Sequence, residues 1–452
     1  MRSMTALALI LASTSFAFAA DNESFITQVG SNNGTVVGQT DGSNTQATRQ
    51  VGHRNSAAIS QGAVQAAANV NASSTTQVGS FNNALVGQTG GNNTLGTTQV
   101  GVGNTAVAAQ TSAYVGGSNQ ASTVQVGRFN QATTVQSATQ PNSQDTAPAG
   151  NTSVIAQFGS FNASLANQAG VKNSQTTMQG GTGNSSVTAQ NDASVVGTNT
   201  SFVGQFGAHN VAVSSQTTND TSPSAFVFAT GAANQSNVMQ MGNGNTAIAS
   251  QDASAGPNGS FDNLGGAGNV SNVAQIGNGN VSLTTQSGQV FDGGANVQFN
   301  TSSVAQVGAK NQAVVGQVNA DNTQNTAQFG VGNAALTSQQ NLQTATVLNT
   351  ATTVQSGSHN VAVTSQAVAN PLANSANNSL LVQAGALNQA YVAQQNQVAS
   401  GLQGMIGANN QVTQQIGVGN VALTAQTSND SLANRSVTQQ IGAHNVAVVA
   451  QK

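Results

Sequence analysis

The chain has no cysteine, so neither disulfides nor thiolate metal sites can hold it together. It has no tryptophan, and aromatic residues make up only 4% of it, which leaves too few large side chains for an ordinary globular core of several hundred residues. Charged residues are also scarce, at 4%, which excludes the high-charge composition that usually keeps a chain disordered. There are only five prolines, so little interrupts a long backbone ladder. The net charge is −3, with no basic excess to attract nucleic acid. No apolar run is long enough to span a bilayer, and no membrane insertion is expected. What remains is mostly Asn, Gln, Gly, Ala, Ser, Thr and Val. A Gln/Asn-rich chain of low charge is suited to stacked β-structure.

Residues 1–20 read as a secretory leader: Arg2 supplies the positive start, Ala6 to Ala12 the short apolar stretch, and Ala17-Phe18-Ala19 the small-x-small cleavage pattern. Its removal takes away Arg2 and leaves seven basic and eleven acidic residues, a net charge of −4. Residues 21–452 form one repeat array.

The frame N-x5-Q-x-G-x2-N-x5-Q recurs sixteen times, and its five anchor residues hold in every copy. The first copy has Asn22, Gln28, Gly30, Asn33 and Gln39. The tenth has Asn269, Gln275, Gly277, Asn280 and Gln286. The last has Asn434, Gln440, Gly442, Asn445 and Gln451. Each copy is two halves of seven residues, a normal strand length, with its Asn and Gln on the same face. The first corner always has four residues with glycine second, as at Gly30, Gly52, Gly79, Gly277, Gly417 and Gly442. An obligatory glycine implies backbone angles that other residues avoid. The second corner ranges from four residues (40–43) to seventeen (217–233 and 252–268), and it holds all five prolines. Insertions confined to one corner mean loops on one edge of a stack. The fold predicted is an all-β solenoid with two strands per coil and about sixteen coils, of the cross-β type.

Charges set the expected orientation. Only Glu23, Arg49 and Arg435 lie inside half-repeats, at positions one, five and one counted from the Asn. Burying a charge is costly, so odd positions should face outward and even positions inward. In a parallel stack, like amides then lie over one another. A primary amide both donates and accepts, so Asn and Gln can form continuous ladders along the axis. Position three of second halves is odd yet mostly apolar, as at Val36, Leu85, Leu165, Leu283 and Leu423. An exposed stripe of this kind suggests lateral association. If the parity were reversed, Leu283 and Leu423 would be buried between the sheets.

The first copy begins just after the leader, and only Lys452 follows the last. No capping element is expected at either end, and the natural partner of such an edge is the opposite edge of another copy. The ten aspartates all lie outside the half-repeats, where they can slow premature aggregation without breaking ladders.

This pattern resembles the curlin repeat of bacterial curli subunits, S-x5-Q-x-G-x2-N-x5-Q. The resemblance covers Asn22 to Gln451, with Asn in place of the leading Ser in every copy. It implies a secreted subunit that polymerises at the bacterial surface into a functional amyloid fimbrium, supporting biofilm matrix and cell adhesion. It further implies two partners besides the chain itself, a nucleating subunit and a curli-type export pore. No separate targeting segment precedes the first repeat. Charged residues do not accumulate in the last repeat, which points to the major-subunit type.

No enzyme, cofactor or metal centre is expected. His53, His209, His359 and His444 all lie in first corners, in coils too far apart to share a metal ion. Glycine pairs such as Gly101 and Gly103 lack the strand-turn-helix setting of a nucleotide loop. The alternatives in the same fold are a monomeric secreted adhesin and an ice-binding protein. Irregular outward positions count against the second.

Overall fold

The computed structural model describes residues 22–63, 70–113, 117–139, 150–170, 172–193, 197–220, 233–255, 267–290, 298–319, 321–341, 348–368, 376–396, 408–428 and 433–452. The expected leader at 1–20, the five prolines and most of the corners at 217–233 and 252–268 lie outside these residues.

Each half-repeat forms one strand. In the tenth coil these are Ala267–Asn278 and Val281–Val290. All first-half strands make one parallel sheet of sixteen, and all second-half strands make another. Register is strict: Asn269 pairs with Asn300, Gln275 with Gln306 and Gly277 with Gly308, while Gln286 pairs with Gln317 in the facing sheet. The chain is therefore a two-strand-per-coil β-solenoid of sixteen coils. At about 4.8 Å per coil it rises roughly 77 Å.

Even positions face inward and odd positions outward. Glu23, Arg49 and Arg435 are exposed. Leu283 and Leu423 keep 37% and 44% of their surface exposed, so the parity read from the charges holds. The interior is thin and its apolar part is discontinuous. Val203, Val238, Val273 and Val304 pack against Ala212, Ala247 and Ala313 in the middle coils. Separate slices surround Ile59 and Leu95, Ile155 and Ala166, and Leu381 and Val392. Between the slices the same columns carry Thr177, Thr188, Thr326 and Thr337. The buried hydroxyls of Ser271, Ser282 and Thr284 have no hydrogen-bond partner, and each such group costs stability. The structures that run unbroken from end to end are the amides and the glycine corners.

Candidate assembly site

Four amide columns line the inner corners of the coil. From Gln28 to Gln440, and from Gln39 to Gln451, each Nε2 donates to the Oε1 of the Gln in the next coil, at 2.7–2.9 Å. From Asn22 to Asn434, and from Asn33 to Asn445, the sense is opposite. Each Nδ2 donates to the Oδ1 of the Asn in the preceding coil, at 2.9–3.2 Å. Asn269, Gln275, Asn280 and Gln286 are all essentially inaccessible to solvent. They are thus interior groups, each bonded on both sides.

The second N–H of each amide fixes its orientation. Gln275 Nε2 also donates to the Thr246 carbonyl at 3.0 Å, and Gln286 Nε2 to the Val270 carbonyl at 2.9 Å. Asn280 Nδ2 donates to the Gly308 carbonyl at 3.0 Å, while Asn280 Oδ1 accepts the Asn311 backbone N–H at 3.1 Å. A flipped amide would face oxygen to oxygen. Ladder direction is therefore set by the backbone, and it was not readable from anchor spacing alone.

The first-corner glycines form a fifth column. Across the sixteen coils their φ runs from 111° to 132°, beyond the left-handed region that Asn tolerates. A Cβ at Gly277 would lie 1.9 Å from the Gly308 carbonyl oxygen. Two positions further on, a second left-handed column escaped the sequence reading. It holds Asn32, Arg54, Phe81, Phe161, His209 and Leu387 among others, with φ near 55°, alongside Gly103, Gly183, Gly244, Gly279, Gly332 and Gly419. The signal was the recurrence of glycine there. Among the larger residues in this column, His359 lies over Gly332 of the preceding coil, Phe161 over Phe129 with ring centroids 5.3 Å apart, and the Phe81 ring against the Arg54 guanidinium at 5.5 Å.

The terminal coils leave these columns open. Gln28 Oε1 and Gln39 Oε1 accept no hydrogen bond, and Asn22 Nδ2 donates none, among the described residues. At the other end Asn434 Oδ1 and Asn445 Oδ1 accept none among the same residues. Gln440 Nε2 and Gln451 Nε2 each donate once, to the carbonyls of Val421 and Arg435, and keep one N–H in hand. The last coil thus offers donors where the first coil offers Gln acceptors, and acceptors where it offers an Asn donor. Apolar surface is also greatest here. Ile26 is 48% exposed, while Ile155, at the same inward position, is fully buried.

Two apolar columns line the outer faces. One is the stripe through Val36, Leu85, Ile248, Leu283 and Leu423. The other follows the strand-ending Gln and includes Phe158, Phe206, Ile276 and Phe329. The four histidines fall in separate coils, and no group of three or more metal-ligating side chains occurs among the described residues. Among the same residues, no helix is long and apolar enough to cross a membrane. Scans against protein-family models and against curated proteins each find no match.

Proposed function

We propose that this chain is the structural subunit of an extracellular fibre. In this reading, successive molecules stack last coil to first coil and continue the solenoid as a cross-β filament. The observation that carries it is the complementarity of the two open ends. Four directional ladders stop at each end, three of them at first-coil groups, Gln28 Oε1, Gln39 Oε1 and Asn22 Nδ2, that match open groups of the last coil, and both end coils expose inward-facing surface that interior coils bury. An unpaired strand edge is best satisfied by the edge that matches it in register, and a heterologous joint of this kind propagates without closing.

The curlin-like repeat frame supports placing the fibre at a bacterial surface, as a curli-like fimbrium of biofilm matrix and adhesion. A nucleating subunit and an export pore are the partners that this reading brings with it. The exposed apolar stripes supply a surface for lateral packing of filaments.

The experiment is fibre diffraction on the mature chain after incubation, with thioflavin fluorescence followed meanwhile. The expected result is reflections near 4.8 Å and about 10 Å, with growth accelerated by seeds. A chain that stays folded and monomeric for days would overturn the proposal and favour the monomeric adhesin instead.

A further inference from the structure

Two of the three charged residues inside the half-repeats share one column. Glu23 stands at position one in the first coil, and Arg435 stands at position one in the last. Every residue of that column between them, from Thr45 to Asn410, is uncharged. Both charged side chains face solvent. Within one molecule they are fifteen coils apart, about 72 Å at the usual strand spacing, so neither can act on the other.

We propose that Glu23 and Arg435 form an ion pair across the joint between successive molecules, and that this pair selects the last-coil-to-first-coil joint. The inference rests on the fibre reading above. Stacking a first coil on a last coil in the register of the sheet makes Glu23 the strand partner of the neighbouring copy's Arg435. The sheet already pairs Glu23 with Thr45 on one side and Arg435 with Asn410 on the other, so each has only its outer side open. Side chains in this column reach from coil to coil: Asn378 Nδ2 donates to Asn410 Oδ1 at 3.0 Å. A longer Arg and Glu span the same gap with ease. Joints between two first coils or two last coils never bring the opposite charges together. An exposed pair of this kind adds little to stability, but it steers encounter and rejects wrong partners.

The test uses the mature chain with seeded elongation followed by thioflavin fluorescence. Glu23→Arg and Arg435→Glu should each slow elongation roughly three- to tenfold at low ionic strength, because each places like charges at the joint. The deficit should shrink as salt is raised toward about 1 M. The deciding arm is an equimolar mixture of the two variants. There each kind of joint between unlike chains pairs opposite charges, so the mixture should recover the native rate and grow as an alternating copolymer. The double variant E23R/R435E should recover it as well. Single variants that elongate at the native rate would overturn the ion pair. So would a mixture as slow as its components, which would show that the substitutions act inside each molecule. A native chain that forms no fibre at all would instead overturn the proposed function, and the ion pair with it.

Discussion

The two corners of each coil turn the chain between the same two sheets, yet they obey different rules. The first corner is four residues long in all sixteen coils, and its glycine holds φ near 120° throughout. The second corner varies from four to seventeen residues. Where it is also four residues long, its left-handed second position has φ of 52–87° and is filled by Asp41, Gly90, Gly170 or Asn319. The difference lies in what each corner touches. The backbone of a first corner stacks directly on the next: Asn278 O accepts the Lys310 N–H, and Gly308 O accepts the amide of Asn280. A change in one coil therefore strikes its neighbours. The second corner stacks where its residues extend the strands, as Asp252 to Ala255 pair with Ser287 to Val290 and the Asn319 N–H donates to the Ser287 carbonyl at 2.7 Å, but the residues beyond those differ in number from coil to coil. The extra bond from the Asn backbone N–H to the preceding Asn is seen there at Asn44, Asn93, Asn173 and Asn322, each of which follows a four-residue corner.

The largest expected effect comes from breaking the rigid corner. Gly277→Ala sets a methyl group against a backbone oxygen that cannot yield without moving the next coil. It should cost at least about 4 kcal/mol, with hydrogen-exchange protection lost first in the adjoining coils. Next are the strand ends, where the two corners should behave alike. Gln275→Ala and Gln286→Ala each remove two ladder bonds and strand a donor and an acceptor, with the Thr246 carbonyl in the first case and those of Val270 and Asn300 in the second. Each should cost about 3 kcal/mol in denaturant unfolding. A large inequality between the two would show that the ladders, like the corners, are not equivalent.

An insertion separates the corners more sharply. Eight Gly/Ser residues placed between Asp41 and Gly42 should cost about 1 kcal/mol, the entropy of closing a longer loop. The same insertion between Gly277 and Asn278 interrupts the stacked column and should cost as much as the alanine substitution there. A smaller effect, of opposite sign, belongs to the second left-handed column. Leu387 holds φ of 58° and is 56% exposed. Leu387→Gly relieves that strain and should stabilise the chain by about 0.5 kcal/mol, while Phe161→Gly should gain nothing because it forfeits the stack on Phe129.

Much of this was legible in the sequence, and the reason is repetition. One N-x5-Q spacing is weak evidence, but sixteen in register define strands, parity and stacking together. Three charges at odd positions, all in first halves, oriented the first sheet, and the second sheet follows the same parity. What escaped the sequence shares a physical cause. The direction of the amide ladders depends on carbonyls that lie across the coil and in the next coil, which spacing within a strand does not locate. The second left-handed column was hidden because bulky residues such as Phe129 and His444 occupy it at a modest cost that packing offsets. The discontinuity of the apolar interior was present in the alternation of Val and Thr at position four. It becomes meaningful only once the amide columns are seen to run through it.

The last and smallest effect tests whether the permissive corner also carries a pH sensitivity. Asp321 closes a four-residue second corner with φ of 49°, and its Oδ1 accepts the Phe299 backbone N–H at 3.1 Å. Partial burial raises its pKa above the ordinary Asp range, and the Phe299 N–H offsets part of that rise. A carboxyl whose pKa is higher folded than unfolded binds its proton more tightly in the folded chain. The stability it lends is complete below the unfolded value of about 4 and is lost as pH rises through the folded value. Asp321→Asn keeps the acceptor, tolerates the left-handed backbone and has no charge to bury. The variant and native chains should therefore unfold together at pH 3, and the variant should be slightly the more stable at pH 7. Denaturant midpoints across that range measure the difference directly. First corners carry no carboxylate in any coil, so Gly277→Ala should lose the same stability at both ends of the range. If its cost instead varied with pH as Asp321 titrates, the two corners would be coupled through the coil, and the independence that lets one vary while the other stays fixed would fail.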